Sequence, residues 1–334
     1  MENMPGRKIN NKTLVDRFGR THNYLRFSIT DDCNFACTYC RPDGNSCTKS
    51  NNILSVDEFE EICTVFINLG IKKIRITGGE PLVRRDFNEI ANVLGKFNIE
   101  KAITTNGLLF DCYFETLKKN NINRINISLD TLKDERFFEI TGNRYLSRVK
   151  ENIQLAVDKG FLVKLNVVVI KGTNDDELTD FVNLAIKLQI TVRFIEFMPF
   201  KENNWKFGSM VRHDDILQNI SSKFNLIPDT LLQSEPAKYY SIKGQKGRIG
   251  IISTVSQPFC DNCNRIRVTA DGKIKSCLFG HSETDLREAL RNKQDMSEFI
   301  KNSLVSKALK HGGKKPFESN NDVNFNRSMY SIGG

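Results

Sequence analysis

No apolar run in this chain is long enough to cross a membrane; its longest aliphatic stretch, at residues 167–170, is far short of a span. Residues 1–20 hold no apolar core of the kind a secretory signal carries, which predicts a soluble, cytoplasmic protein. No dense block of Lys and Arg is present either, although the net charge is +9; the basic residues are scattered, with pairs such as Arg84–Arg85 and Lys314–Lys315. Charge alone does not separate a nucleotide from a nucleic acid as partner, nor either from a solvated surface. No repeat recurs along the sequence. Against these absences stand 334 residues, 39% hydrophobic and 27% charged, an ordinary globular balance with length for one large domain and a smaller one.

Apolar, β-branched runs fall at 24–30, 73–77, 101–104, 124–129, 163–170 and 191–197, short and mostly apolar, as in strands covered on both faces. Helical patterns lie between them at 56–69, 86–97, 112–120, 147–159 and 175–188. Ser55 with Glu58 fits a capping box, and Gly70 and Gly160 stand where helices should end. Strands alternating with helices predict an α/β fold with a parallel sheet. Six units fall short of a complete barrel, so a partial (βα)6 TIM-like barrel is expected, with a doubly wound open sheet as the alternative. Past residue 200 the pattern loosens at Pro228, Pro236 and Pro258. The expected division is a barrel over 1–200 and a C-terminal segment over 201–334.

Nine cysteines in a reducing compartment point to metal binding or catalysis rather than disulfides, and six of them form two tight groups. The first is Cys33-x3-Cys37-x2-Cys40, directly after the first predicted strand, where parallel α/β proteins build their sites. Three thiolates suit a 4Fe–4S cluster with one iron left open, since such clusters usually take four cysteines. Cys47 as a fourth ligand would close the cluster for electron transfer only. The second group is Cys260-x2-Cys263-x13-Cys277, again three ligands. By spacing, zinc and iron–sulfur are equally matched; His281 would complete a zinc site but reads rather as a surface histidine. Arg265 and Arg267, if on a strand, share a face and suit phosphate oxygens. Cys63 and Cys112 fall in helical patterns and read as ordinary core thiols.

The first group, with Tyr39 before its last cysteine and Gly78-Gly79-Glu80-Pro81 after the second strand, resembles the radical S-adenosylmethionine superfamily. Two three-cysteine groups with Asn264-Arg265-x-Arg267 are similar, more narrowly, to the GTP 3′,8-cyclases of molybdenum cofactor biosynthesis. Blocks at 16–20, 75–82, 104–107, 127–130 and 193–198, and the terminal Gly333-Gly334, agree with that family. The resemblance implies two 4Fe–4S clusters and S-adenosyl-L-methionine as cofactors. It implies a radical cyclisation of GTP to (8S)-3′,8-cyclo-7,8-dihydroguanosine 5′-triphosphate, the first step toward molybdopterin. It also implies roles. Cys33, Cys37 and Cys40 hold the cluster that cleaves S-adenosylmethionine; Tyr39, Gly79, Ser128 and Met198 contact that cofactor. Cys260, Cys263 and Cys277 hold a cluster whose open iron meets the guanine. Arg26, Arg75, Thr104, Lys164, Arg265 and Arg267 bind GTP, with the two last counted as catalytic beside the first three cysteines. Gly333 and Gly334 insert into the active site as a tail. Implied partners are a flavodoxin- or ferredoxin-like reductant, cyclic pyranopterin monophosphate synthase as the next enzyme, and a second copy in a homodimer, with neither nucleic acid nor membrane. Asp32 and Arg41 depart from the family pattern beside the first cluster. The alternative reading is another radical S-adenosylmethionine enzyme with an auxiliary cluster, and a more distant one is a non-catalytic metal module that binds nucleic acid.

Overall fold

The structure, a computed structural model, describes residues 13–41, 52–201, 203–229, 236–313 and 327–333. Six parallel strands follow one another in chain order: β1 (Tyr24–Ser28), β2 (Lys73–Thr77), β3 (Glu100–Thr105), β4 (Arg124–Ser128), β5 (Leu162–Val169) and β6 (Thr191–Glu196). Between them lie α1 (Val56–Asn68), α2 (Phe87–Gly95), α3 (Phe110–Lys119), α4 (Asp134–Thr141), α5 (Leu146–Asp158) and α6 (Leu178–Leu188). The start of α1 is a capping box: Glu58 N donates to Ser55 Oγ at 3.1 Å, and Ser55 N donates to Glu58 Oε2 at 2.9 Å. Gly70 (φ 95°) and Gly160 (φ 76°) close α1 and α5 in the left-handed region.

Alternation along the strands builds the rest. Leu25 and Phe27, Ile74 and Ile76, Val163 and Leu165, Val192 and Phe194 enter the buried core against the helices. Phe27 meets Phe59 of α1 at 4.7 Å, and Phe194 meets Phe181 of α6 at 6.4 Å. The intervening residues are mostly polar, with Val168 and Ile195 as apolar exceptions, and line cavities on the concave side. The strands are therefore not apolar on both faces as expected; only the helix-covered face is, because the other surrounds the site.

The C-terminal segment adds β7 (Leu226–Asp229), β8 (Ala237–Ile242), β9 (Arg248–Ile252), β10 (Arg265–Val268), β11 (Lys273–Lys275) and β12 (Thr284–Asp285), with helices α7 (His213–Ser221), α8 (Leu286–Arg291), α9 (Met296–Val305) and α10 (Met329–Ile332). The sheet runs β12-β11-β10-β1-β2-β3-β4-β5-β6-β9-β8-β7. Strand β10 lies parallel to β1 and β9 parallel to β6. The partial six-unit barrel is thus lengthened at both edges by its own C-terminal half, and one apolar core joins Phe27 with Ile249, Ile266 and Leu286. A hairpin of Leu14–Val15 with Thr21–His22 precedes β1. Cys63 is buried as expected, but Cys112 is exposed on α3 and is no core thiol. Among the described residues no helix is long and apolar enough to cross a membrane.

Candidate active site

Cys33, Cys37 and Cys40 face a cavity of about 180 Å3 at the C-terminal ends of the strands, together with Tyr39, Gly79, Thr104, Ser128 and Met198. Backbone bonds hold the cysteine loop: Ala36 N donates to Thr141 O at 3.0 Å and Thr38 N to Ile140 O at 2.9 Å, tying it to the end of α4. Gly79 N donates to Thr30 O at 2.8 Å and Glu80 N to Asp32 O at 2.7 Å. A Cβ on Gly79 would lie 2.3 Å from Asp32 O, so this glycine is required by the neighbouring cysteine loop itself. Glu80, buried beneath, accepts from Leu82 N (3.0 Å), Thr105 Oγ1 (2.7 Å) and Asn106 N (2.6 Å). Asn106 Nδ2 in turn donates to Asn34 Oδ1 at 2.6 Å. Tyr39 donates to Asp130 Oδ2 at 2.6 Å, and Asp130 Oδ1 accepts Val168 N at 2.8 Å. Of the two departures from the family pattern, Arg41 bonds the Asp31 carbonyl and lies 4.1 Å over the Tyr330 ring, while Asp32 Oδ1 is buried without a hydrogen-bond partner.

Burial, with the Glu80 carboxylate, pushes the Cys33 thiol up to about 12; burial pushes Cys40 up to about 11 and Cys37 upward as well. Three half-buried sulfurs, only partly offset by Arg41 at Cys33 and Cys40, surround one cavity and form a donor set that a cationic iron–sulfur core completes. Among the described residues no three His, Cys, Asp or Glu side chains converge closely enough for a single metal ion. Cys47 and Gly334 lie outside the described residues.

A second cavity, of about 340 Å3, adjoins the first through Asn166, Ile195, Met198 and Met329. Cys260, Cys263 and Cys277 line one side. Its charged lining is of one sign: Arg26, Lys73, Arg75, Lys164, Arg193, Arg265 and Arg267, with no Asp or Glu. The Nε atoms of Arg26 and Arg265 are buried without a hydrogen-bond partner. Arg75 donates to the Tyr24 hydroxyl (2.6 Å) and Ile103 O (2.8 Å); Arg193 donates through Nε and Nη2 to Asn166 Oδ1 at 2.9 and 2.6 Å. Lys164 donates to the Tyr239 hydroxyl at 3.0 Å. Burial and the crowding of like charges lower Arg26, and lower Arg267 to about 10. Burial favours the neutral phenol of Tyr24, yet Arg75, Arg26 and Lys73 outweigh it and bring this tyrosine down to about 7. Mutually repelling buried cations are the arrangement an anionic ligand stabilises.

Thr104 departs from this grouping: it lines the first cavity and reaches the second set only through Arg75 Nη1 at 3.5 Å. Lys73 and Arg193 belong to the cationic lining although sequence reasoning passed over them. Their signal was the two-residue spacing to Arg75 and the strand β6 register. His281 is exposed, while His311, also overlooked, lines the second cavity. Of the tail, Gly333 is buried, its carbonyl accepts Arg267 Nη1 at 2.6 Å, and Met329 lines both cavities. A larger cavity, about 580 Å3, opens at the opposite ends of β4 to β6 and holds none of the six clustered cysteines.

Residues 27–185 match the radical S-adenosylmethionine superfamily, and residues 190–313 match the C-terminal domain of molybdenum cofactor synthesis. The same architecture occurs in Streptococcus suis SuiB, with a TM-score of 0.63 at 15% identity over 87% of this chain and 69% of that one. Fold, cysteine loop and glycine turn together define a radical S-adenosylmethionine enzyme. The GTP 3′,8-cyclase of Alkaliphilus oremlandii is 41% identical over 96% of this chain and 100% of its own length. Molybdenum cofactor biosynthesis protein 1 of Dictyostelium discoideum is 39% identical over 96% of this chain and 52% of its own. The chain belongs to the GTP 3′,8-cyclase family.

Proposed function

We propose that the adjoining cavities divide one reaction, the cyclisation of GTP, between a cofactor site and a substrate site. The observation that carries this reading is the second cavity, with seven cations, no carboxylate and three cysteines, sharing a wall with the first three cysteines. Cys33, Cys37 and Cys40 are assigned one 4Fe–4S cluster, and Cys260, Cys263 and Cys277 the other. When bound, the first cluster and S-adenosylmethionine supply reductive cleavage and a hydrogen-abstracting radical.

The chain's own residues position and shield. Tyr39, Gly79, Ser128 and Met198 contact S-adenosylmethionine, with Met198 on the wall between the cavities. Arg26, Arg75, Lys164, Arg265 and Arg267 take the triphosphate and purine, and Lys73 and Arg193 join them on geometry. Thr104 lines the cofactor cavity and reaches the substrate site through Arg75. The tail inserts into the active site, Gly333 being held by Arg267. Residues 1–200 supply the cofactor barrel and 201–334 the substrate cluster and tail. We assign the reaction to the cytoplasm, with electrons from a flavodoxin- or ferredoxin-like donor, the product passing to cyclic pyranopterin monophosphate synthase, and a homodimer as the working form. The test is anaerobic reconstitution with iron and sulfide, then product analysis with GTP. Formation of the 3′,8-cyclised nucleotide with 5′-deoxyadenosine supports the reading; deoxyadenosine without a cyclised nucleotide overturns the substrate.

A further inference from the structure

Lys307, just past α9, is buried to 2% exposure behind the second cysteine loop. Its Nζ lies 2.8 Å from His22 Nε2, 3.0 Å from Arg265 O and 3.4 Å from Cys263 Sγ. Three acceptors match the three N–H donors of an ammonium. The histidine can accept there because its Nδ1, 2.9 Å from Arg20 O, is placed to carry the ring proton. Among the described residues Lys307 forms no ion pair with a carboxylate. A cation taken this far from water is costly unless an anion faces it. The one group it touches that becomes anionic on metal binding is Cys263.

A second fastening converges on the same place. Arg20, paired with Asp16 at 2.6 Å, donates to Cys260 O at 2.8 Å and to the carbonyls of Leu309 (2.7 Å) and Ala308 (2.9 Å). The hairpin before β1 thereby ties the backbone of a cysteine ligand to the segment that carries Lys307. Arg20 and its neighbours are a sequence block that cofactor and substrate binding leave unexplained.

We infer that Lys307 is the built-in counter-charge of the second cluster, a positioning residue that donates to the Cys263 sulfur and stabilises the cluster's reduced form. Hydrogen bonds to cluster sulfurs and nearby charge are established determinants of iron–sulfur potentials. The inference rests on the assignment of Cys260, Cys263 and Cys277 to an iron–sulfur cluster.

The test uses the full chain with Cys33, Cys37 and Cys40 all changed to Ala, so that only the second cluster is read. It is reconstituted anaerobically and titrated with dithionite under electron paramagnetic resonance. Lys307→Met removes charge and donors; Lys307→Arg keeps both. The expected result is a tenfold or greater fall in the reduced-to-oxidised ratio at fixed potential for Lys307→Met, a midpoint lower by about 59 mV for one electron. Lys307→Arg should stay within about threefold of the parent, less than half the step a tenfold change represents. Loss of iron from Lys307→Met alone also supports a counter-charge. An unchanged midpoint in Lys307→Met overturns the inference, as does loss of iron from both variants, which would make Lys307 a packing residue only. A parent that binds zinc or no metal at the second group overturns the cluster assignment, and the inference with it.

Discussion

Tyr24 shows how one residue reports the charge of the whole substrate cavity. Its folded value of about 7 lies below the ordinary tyrosine value of about 10, so between those values the unfolded chain binds more protons. Stability from this group therefore rises as pH goes from 7 to 10 and is lost as pH falls through 7. An incoming triphosphate competes with the phenolate for Arg75, Arg26 and Lys73 and drives its pKa back up, so binding takes up a proton above pH 7. GTP affinity should fall from pH 7 to pH 9 in calorimetry run in buffers of different ionisation enthalpy. Tyr24→Phe should flatten that dependence; an identical slope in the variant rejects the linkage. Arg265, whose Nε has no partner in the protein, gives a simpler expectation. Arg265→Ala removes a charged donor worth about 1.5–3 kcal/mol to its ligand, roughly 10- to 150-fold in GTP affinity. The iron content at the first cysteine group should not change.

The glycine turn after β2 and the tail after α10 are tested by adding one carbon to each. At Gly79 a Cβ meets the carbonyls of Asp32 and Asp31 at 2.3 and 2.7 Å, backbone atoms that cannot swing aside. Gly79→Ala must push the cysteine loop outward, and iron analysis should show loss of the first cluster with the second retained. At Gly333 (φ 82°) a Cβ meets Thr77 Oγ1 at 2.5 Å and Ser28 Cβ at 2.9 Å. Strain and clash together cost about 1–3 kcal/mol, set against the docked tail. Gly333→Ala should slow GTP turnover at least tenfold with little change in melting temperature, since α10 carries little of the core. These elements also mark what the sequence made legible. The six strands and five of the crossover helices follow from periodicity, and Ser55, Glu58, Gly70 and Gly160 bound their helices as their chemistry requires. Helix α4 went unseen: it is short, without a side-chain cap, and its buried face is Phe137, Ile140 and Thr141. Both cysteine groups were plain from spacing. Lys73 and Arg193 were not, because on a strand one residue's shift decides between core and cavity. The pairing of β9 with β6 and of β10 with β1 joins residues far apart in sequence, which local patterns do not encode.

That pairing determines how the molecule behaves as a whole. Five residues of β9 pair with β6 and four of β10 with β1, so both edges of the cofactor barrel are completed by residues beyond 247. The apolar core crosses the same line, with Ile266 and Val268 of β10 and Ile249 and Ile251 of β9 buried in it. A fragment of residues 1–200 would expose two unpaired strand edges and the apolar side chains these strands cover, a template for aggregation rather than a free-standing domain. Full burial of a Val or Ile side chain contributes about 1.5–3 kcal/mol. The four named residues together, at about 6–12 kcal/mol, are comparable to the whole net stability of an average domain, about 5–15 kcal/mol. Calorimetry of the intact chain should therefore show one cooperative transition, and the 1–200 fragment should show none or precipitate. Two separable transitions, or a fragment that melts like the parent, would mean the barrel stands alone. Such cooperativity would have a use in the reaction: β10, which completes one edge of the barrel, also carries Arg265 and Arg267, so the cofactor cavity and the substrate cavity would fold together.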